Sequence, residues 1–176
     1  MQLPSQIQVD KFREEFWKSH GAALIYIKLH GSFGWRSQDG SNVMVIGQGK
    51  EGMIEKEPLL HWYISLFSEI LNYRKSQKLV VIGYGFGDEH INTIIADAIN
   101  HQDLKLFVVS PQSPAEFYND LCPLHGFNVQ PKPKGTELWN GLYQYWPAKV
   151  TDFVRRPPVN KLSPRGEAFF RGLRLG

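Results

Sequence analysis

Residues Leu79–Asn92, LVVIGYGFGDEHIN, constrain the fold of this chain more than any other stretch. Leu79-Val80-Val81-Ile82 is a short, unbroken apolar run rich in β-branched residues. It is too short for a helix and predicts a strand buried on both faces, the kind found in parallel sheets. Gly83, Gly85 and Gly87 then alternate with Tyr84 and Phe86. Asp88 follows as a helix N-cap candidate, and Ile91, Ile94, Ile95, Ala98 and Ile99 carry a helical pattern beyond it. Strand, glycine turn and helix start leave bare backbone N–H groups and the positive end of a helix dipole at the carboxyl edge of a sheet. In open α/β folds that is where nucleotides bind. The stretch is neither G-x-G-x-x-G nor a P-loop, since no Lys-Ser/Thr follows the glycines. The same residues also fit a plain strand-to-helix turn in which glycine serves close packing.

At 176 residues the chain suits one domain with a substantial core. The single cysteine, Cys122, excludes an internal disulfide and any multi-cysteine zinc site. It has no basic neighbours to activate it. No apolar run approaches a membrane span, and MQLPSQIQVDKFREEF lacks the basic start and apolar core of a signal peptide. A cytoplasmic protein with no membrane partner is the expectation. The net charge of +3 is unevenly spread. Arg155, Arg156, Lys161, Arg165, Arg171 and Arg174 face one acid, Glu167, so residues 155–176 carry +5 and residues 1–154 carry −2. A nucleic-acid-binding body is therefore not supported. The basic tail is expected to be a solvated, poorly ordered end, with at most weak phosphate contacts. The domain reading is 1–154 for the folded body and 155–176 for the tail.

Taken in order, Val9–His20 has the spacing of an amphipathic helix through Phe12, Phe16 and Trp17, ended by Gly21. Ala22–Leu29 alternates as a strand, which would place His30 at its carboxyl end. Phe33–Asn42 reads as a loop, Val43–Ile46 as a short strand and Lys50–Glu57 as a charged connector. Pro58 opens a helix whose apolar stripe runs to about Arg74. Lys78–Ile82 is a strand, Asp88–Asn100 a helix and Leu104–Val109 a strand. Pro114–Leu121 is a short helix with Ser113 and Glu116 at capping-box spacing. Phe127–Val129 is a candidate last strand. Leu138–Val154 is an aromatic stretch with few interleaved cations, expected to pack on the body and not on bases. Strand–helix alternation predicts an α/β fold with a parallel sheet. Nothing before His30 supplies the strand–glycine-turn–helix unit that usually opens a doubly wound nucleotide fold.

Two stretches together resemble one family. Lys28-Leu29-His30-Gly31-Ser32 is similar to the His-Gly motif of sirtuins, and Val80–Asp88 to the strand and glycine turn that follow later in that fold. With VMVIGQGK, PLLHWYISLFSEIL and GYGFGDEHIN between and around them, residues from about Leu24 to Val154 most resemble bacterial, zinc-less sirtuin-like domains. Many members of that group act in defence against phage, often by destroying NAD. The resemblance implies a partial Rossmann-like parallel sheet with flanking helices that binds NAD. It implies that His30 acts as general base at the nicotinamide ribose or polarises its hydroxyls, with Gly31 and Ser32 beside it. It implies cofactor contacts from Gly83, Tyr84, Gly85, Phe86 and Asp88, and from Ser110, where the next strand ends and many sirtuins have Asn. An imidazole titrating near neutrality suits a reaction that must manage one proton while charge builds on a sugar.

The departures from the family pattern narrow the reading. No paired-cysteine zinc module follows the His-Gly motif, which disfavours a protein deacetylase and implies no zinc. The family's N-terminal glycine-rich loop and its Asn have no equivalents in residues 1–29, so the expected unit is the C-terminal half of an NAD hydrolase. A complementing N-terminal segment or a second copy would complete it. The alternative is a non-catalytic NAD- or ADP-ribose-binding or interaction module. Among other candidates, His61 reads as a packing residue and Glu89 as a helix-dipole partner. His101 and His125 have no partners at metal-ligand spacing.

Overall fold

The computed structural model describes residues 1–16, 18, 25–45, 50–123, 130–152, 168 and 171. They form two compact units, Met1–Ile70 and Leu71–Gly176. Residues 17, 19–24, 46–49 and 124–129 lie outside the described residues, and with them the expected ends at Gly21 and Ile46 and the strand Phe127–Val129. So does all but Ala168 and Arg171 of the basic tail.

The first unit opens with helix α1, Gln6–Phe16. Ser5 precedes it, with its N–H and hydroxyl donating to Gln8 Oε1 at 2.9 and 3.3 Å. Strand β1, Gly31–Arg36, pairs antiparallel with β2, Asn42–Met44. The hairpin between them is closed by Ser37, Asp39 and Ser41. The Ser37 hydroxyl donates to Asp39, the Ser41 N–H donates to Asp39 Oδ1 at 2.8 Å, and the two serine hydroxyls meet at 2.7 Å. These bonds, Ser37's first, hold the Asp39 carboxyl down at about 2. Helix α2, Lys50–Lys56, contributes Ile54 to the core. Helix α3, Pro58–Asn72, follows. Leu3, Val9, Val43, Val45 and Leu60 form the centre of this unit, with Trp35 and Trp62 packed against them.

Four expectations fail in this unit. The strand expected over Ala22–Leu29 is not formed among its described residues: residues 25–28 have no regular structure, Leu29–His30 is a turn, and Ile25 and Tyr26 are exposed. Alternating β-formers make a strand only when a neighbour takes up their hydrogen bonds. The segment read as a loop from Phe33 is instead strand to Arg36, disguised by Gly31 and Gly34, both at positive φ. Its ladder shifts register between Gly31 and Arg36, a bulge-like irregularity. The charged connector Lys50–Glu57 is helical over α2. The early strands belong to an antiparallel pair, not to the parallel sheet.

The second unit carries the expected parallel sheet. Strands β3 (Lys78–Ile82), β4 (Lys105–Ser110) and β5 (Leu142–Pro147) lie side by side in that order, all parallel. Helix α4, Glu89–Gln102, connects β3 to β4. Helices α5, Pro114–Leu121, and α6, Gly135–Asn140, lie between β4 and β5, and α6 packs on both α4 and α5. The capping box on α5 is formed as expected, Ser113 N–H donating to Glu116 Oε2 at 2.7 Å and Glu116 N–H to Ser113 Oγ at 3.3 Å. The middle strand is covered on both faces: Leu106, Phe107, Val108 and Val109 are all buried. Val80 and Trp146 pack with Val109 and Ala148, while Tyr145 meets Phe117 of α5 with ring centroids 4.8 Å apart. The aromatic stretch after Leu138 thus packs within its own unit, partly as a sheet strand that its composition had not announced. The chain is an α/β protein with a partial Rossmann-like sheet.

Candidate functional site

In the second unit, the carboxyl edge of the sheet gathers the predicted turn and Ser110. Ile82 pairs with Val109, so Gly83 and Ser110 leave adjacent strands at the same edge. From Gly83 to Gly87 burial alternates. The three glycines are exposed, Tyr84 is half-buried and Phe86 is 1% exposed. The aromatic rings face inward, Tyr84 to Phe86 at 4.9 Å and Phe86 to Phe117 at 5.7 Å. The glycines leave the outer face bare: a Cβ on Gly83, Gly85 or Gly87 would find no heavy atom within 4 Å. Phe86 therefore contributes backbone to this edge, not its ring.

Asp88 stands at the N-cap of α4 with extended backbone, as expected, but its side chain makes no capping bond. Its carbonyl accepts from Asn92 N–H at 2.9 Å, the first turn of the helix. The Tyr84 hydroxyl lies 2.9 Å from Asn92 Oδ1 and 3.3 Å from the Asp88 carbonyl. Burial first, and then the charge of Asp88, push the Tyr84 phenol well above its ordinary range, partly offset by the bond to Asp88's backbone. Ser110 donates to Gln112 Oε1 at 3.3 Å, and its carbonyl accepts from Ala148 N–H at 2.8 Å.

Asn92 escaped the reading of the sequence. It is fully buried, and its Nδ2 donates to the carbonyls of Phe86, at 2.9 Å, and Pro133, at 2.8 Å. The available signal was a polar residue on the core-facing side of α4, in the stripe shared with Ile95 and Ala96.

In the first unit, the His-Gly motif lies on the turn that enters β1. Gly31 N–H donates to Lys28 O at 3.0 Å, and the His30 carbonyl accepts from Val45 N–H at 2.9 Å. His30 is half-buried and its Nε2 atom is buried. Gly31 has φ +72°, and a Cβ there would stand 2.4 Å from the Val43 carbonyl oxygen, so only glycine fits. Lys28 Nζ donates to Ser32 Oγ at 3.0 Å and lies 5.5 Å from the centre of the Trp35 ring. His30, Gly31 and Ser32 thus form one group, and the Gly83–Asp88 turn with Ser110 another, each within its own unit.

Among the described residues, no cluster of three or more His, Cys, Asp and Glu could hold a metal ion. No helix among them is long and apolar enough to cross a membrane.

A three-stranded parallel sheet flanked by helices, with a glycine turn at its carboxyl edge, defines an α/β protein of the Rossmann-like class. Residues 4–128, which contain both groups, match the family described as SIR2-like domain, and the chain belongs to that family. No curated protein and no solved structure matches it.

Proposed function

We propose that this chain binds NAD and serves the hydrolysis of its nicotinamide–ribose bond, as part of a bacterial defence-type assembly completed by an N-terminal glycine-rich segment. The SIR2-like family generally uses NAD. The single observation that carries the reading is the bare outer face of Gly83, Gly85 and Gly87 beside the start of α4. A pyrophosphate needs close approach to backbone N–H groups, and this turn has no side chain in the way. The backbone of Gly83, Tyr84, Gly85 and Phe86, with Asp88, would hold the phosphates and ribose, and Ser110 the adenosine part. In the hydrolysis, the oxygen of water bonds to the ribose carbon as its bond to nicotinamide breaks, and one proton must be taken up. His30 is the residue assigned to that proton, with its backbone pinned by Val45 and flanked by Gly31 and Ser32.

Calorimetry with NAD and with ADP-ribose tests the binding. Saturable association supports the reading, and no association with either removes it. Turnover of NAD to nicotinamide and ADP-ribose tests the reaction, for the chain alone and for the chain joined to a complementing segment. The completed form should release both products, and His30→Ala should lower the rate by about 10²-fold or more. Binding without product in the completed form would leave a non-catalytic NAD- or ADP-ribose-binding module. Mass measurement in solution tells whether a second copy, and not a separate segment, is the partner.

A further inference from the structure

Three glycines in five residues make a turn with many conformations to lose, and ordering it on binding would weaken affinity. Phe86 sharpens the problem. It is a non-glycine residue at φ +52°, a left-handed conformation that surrounding structure must impose. Two things impose it here. The ring is enclosed by Tyr84 and Phe117, and the carbonyl accepts from Asn92 Nδ2 at 2.9 Å.

Asn92 is fitted to this task by its chemistry. Its two amide donors go to two different carbonyls, Phe86 in the turn and Pro133 ahead of α6, and its oxygen accepts from Tyr84. Asp could accept from Tyr84 but has no donors for the carbonyls. Leu has nearly the same shape and none of the bonds. A side chain with no solvent exposure is thus satisfied by three partners, two of which belong to the turn.

We propose that Asn92 is a positioning residue for the glycine turn. It fixes the left-handed step at Phe86, so that the N–H face of Gly85–Asp88 is organised before ligand arrives, and it ties that face to the segment at Pro133. It acts through the backbone of Phe86 and does not touch the ligand. The inference rests on the reading of the turn as the NAD site.

The test combines amide hydrogen exchange with ADP-ribose calorimetry on the full chain, comparing wild type, Asn92→Leu, Asn92→Asp and Tyr84→Phe. In both Asn92 variants the amides of residues 84–88 should exchange about tenfold faster or more, while those of β3 and β4 keep their protection. ADP-ribose affinity should fall about tenfold to a hundredfold, as expected for two buried carbonyls left without donors. Tyr84→Phe keeps both donors and should weaken binding by only about threefold. Unchanged turn exchange in a folded Asn92 variant overturns the proposal. So does acceleration spread equally over β3 and β4, which would mark a general stability role, and so does full affinity despite a loosened turn. If neither Asn92 variant folds, Tyr84→Phe decides: weaker binding with faster turn exchange supports the proposal, and no change overturns it. Wild-type protein that binds no ADP-ribose removes the NAD reading instead, and the exchange data still decide whether Asn92 organises the turn.

Discussion

The two glycine turns of this molecule use the same residue for opposite reasons. At Gly31 the backbone is left-handed and the Val43 carbonyl lies where a Cβ would go. At Gly83 the backbone is also left-handed, with φ +69°, yet nothing stands within 4 Å, and the same open space surrounds Gly85 and Gly87. The first glycine lets two strands approach, which is a matter of folding. The second group leaves a surface bare, with no backbone approach that requires it. A motif search sees only the letter G at each place; the surroundings separate a glycine where a Cβ would clash from one that stands in open space.

Alanine substitutions break or confirm this contrast. Gly31→Ala combines a strained φ with a backbone clash and should cost about 3–5 kcal/mol, read as a large fall in melting temperature. Near-normal melting would remove the claim that β1 and β2 require glycine here. Gly83→Ala isolates the strain without the clash and should cost about 1–2 kcal/mol. A loss as large as that of Gly31→Ala would show that open space makes no difference. Gly85→Ala, where φ is not in the left-handed range, should leave stability within about 0.5 kcal/mol but weaken ADP-ribose binding about tenfold by filling the bare face. Unaltered binding would mean that the exposed face serves no ligand.

The smallest expected effect lies in pH. The Tyr84 phenol is raised above its ordinary 10.0 in the folded protein. Its contribution to stability is therefore complete below that value and is lost as pH rises through the higher folded-state value. The melting-temperature gap between wild type and Tyr84→Phe should hold steady to about pH 9.5 and narrow above it. A gap independent of pH up to unfolding would show that Tyr84 does not bond in its neutral form.

Where the sequence could be read, the cause was local. The run Leu79–Ile82, the alternation after it and the α4 stripe lie within one continuous stretch and report the same unit. Ser113 and Glu116 state their capping box three residues apart. The failures share a cause as well. Ala22–Leu29 has strand composition, but its described residues 25–28 take no regular structure. β1 contains two glycines at positive φ and becomes a strand because Asn42–Met44 comes back alongside it. β5 looked like an aromatic patch until β4 supplied its parallel partner.

By its residues alone, then, this chain declared a parallel α/β unit, its glycine turn, the His30–Gly31 pair and its resemblance to the sirtuin-like proteins, because each depends on neighbours a few positions apart. Only the tertiary structure decided which segments pair as strands. It alone turned Phe86 inward and opened the face of Gly83, Gly85 and Gly87, and it alone gave Asn92 its three partners. Those outcomes depend on groups distant in the chain, such as Pro133 for Asn92 and Phe117 for Phe86, whose approach no local pattern encodes.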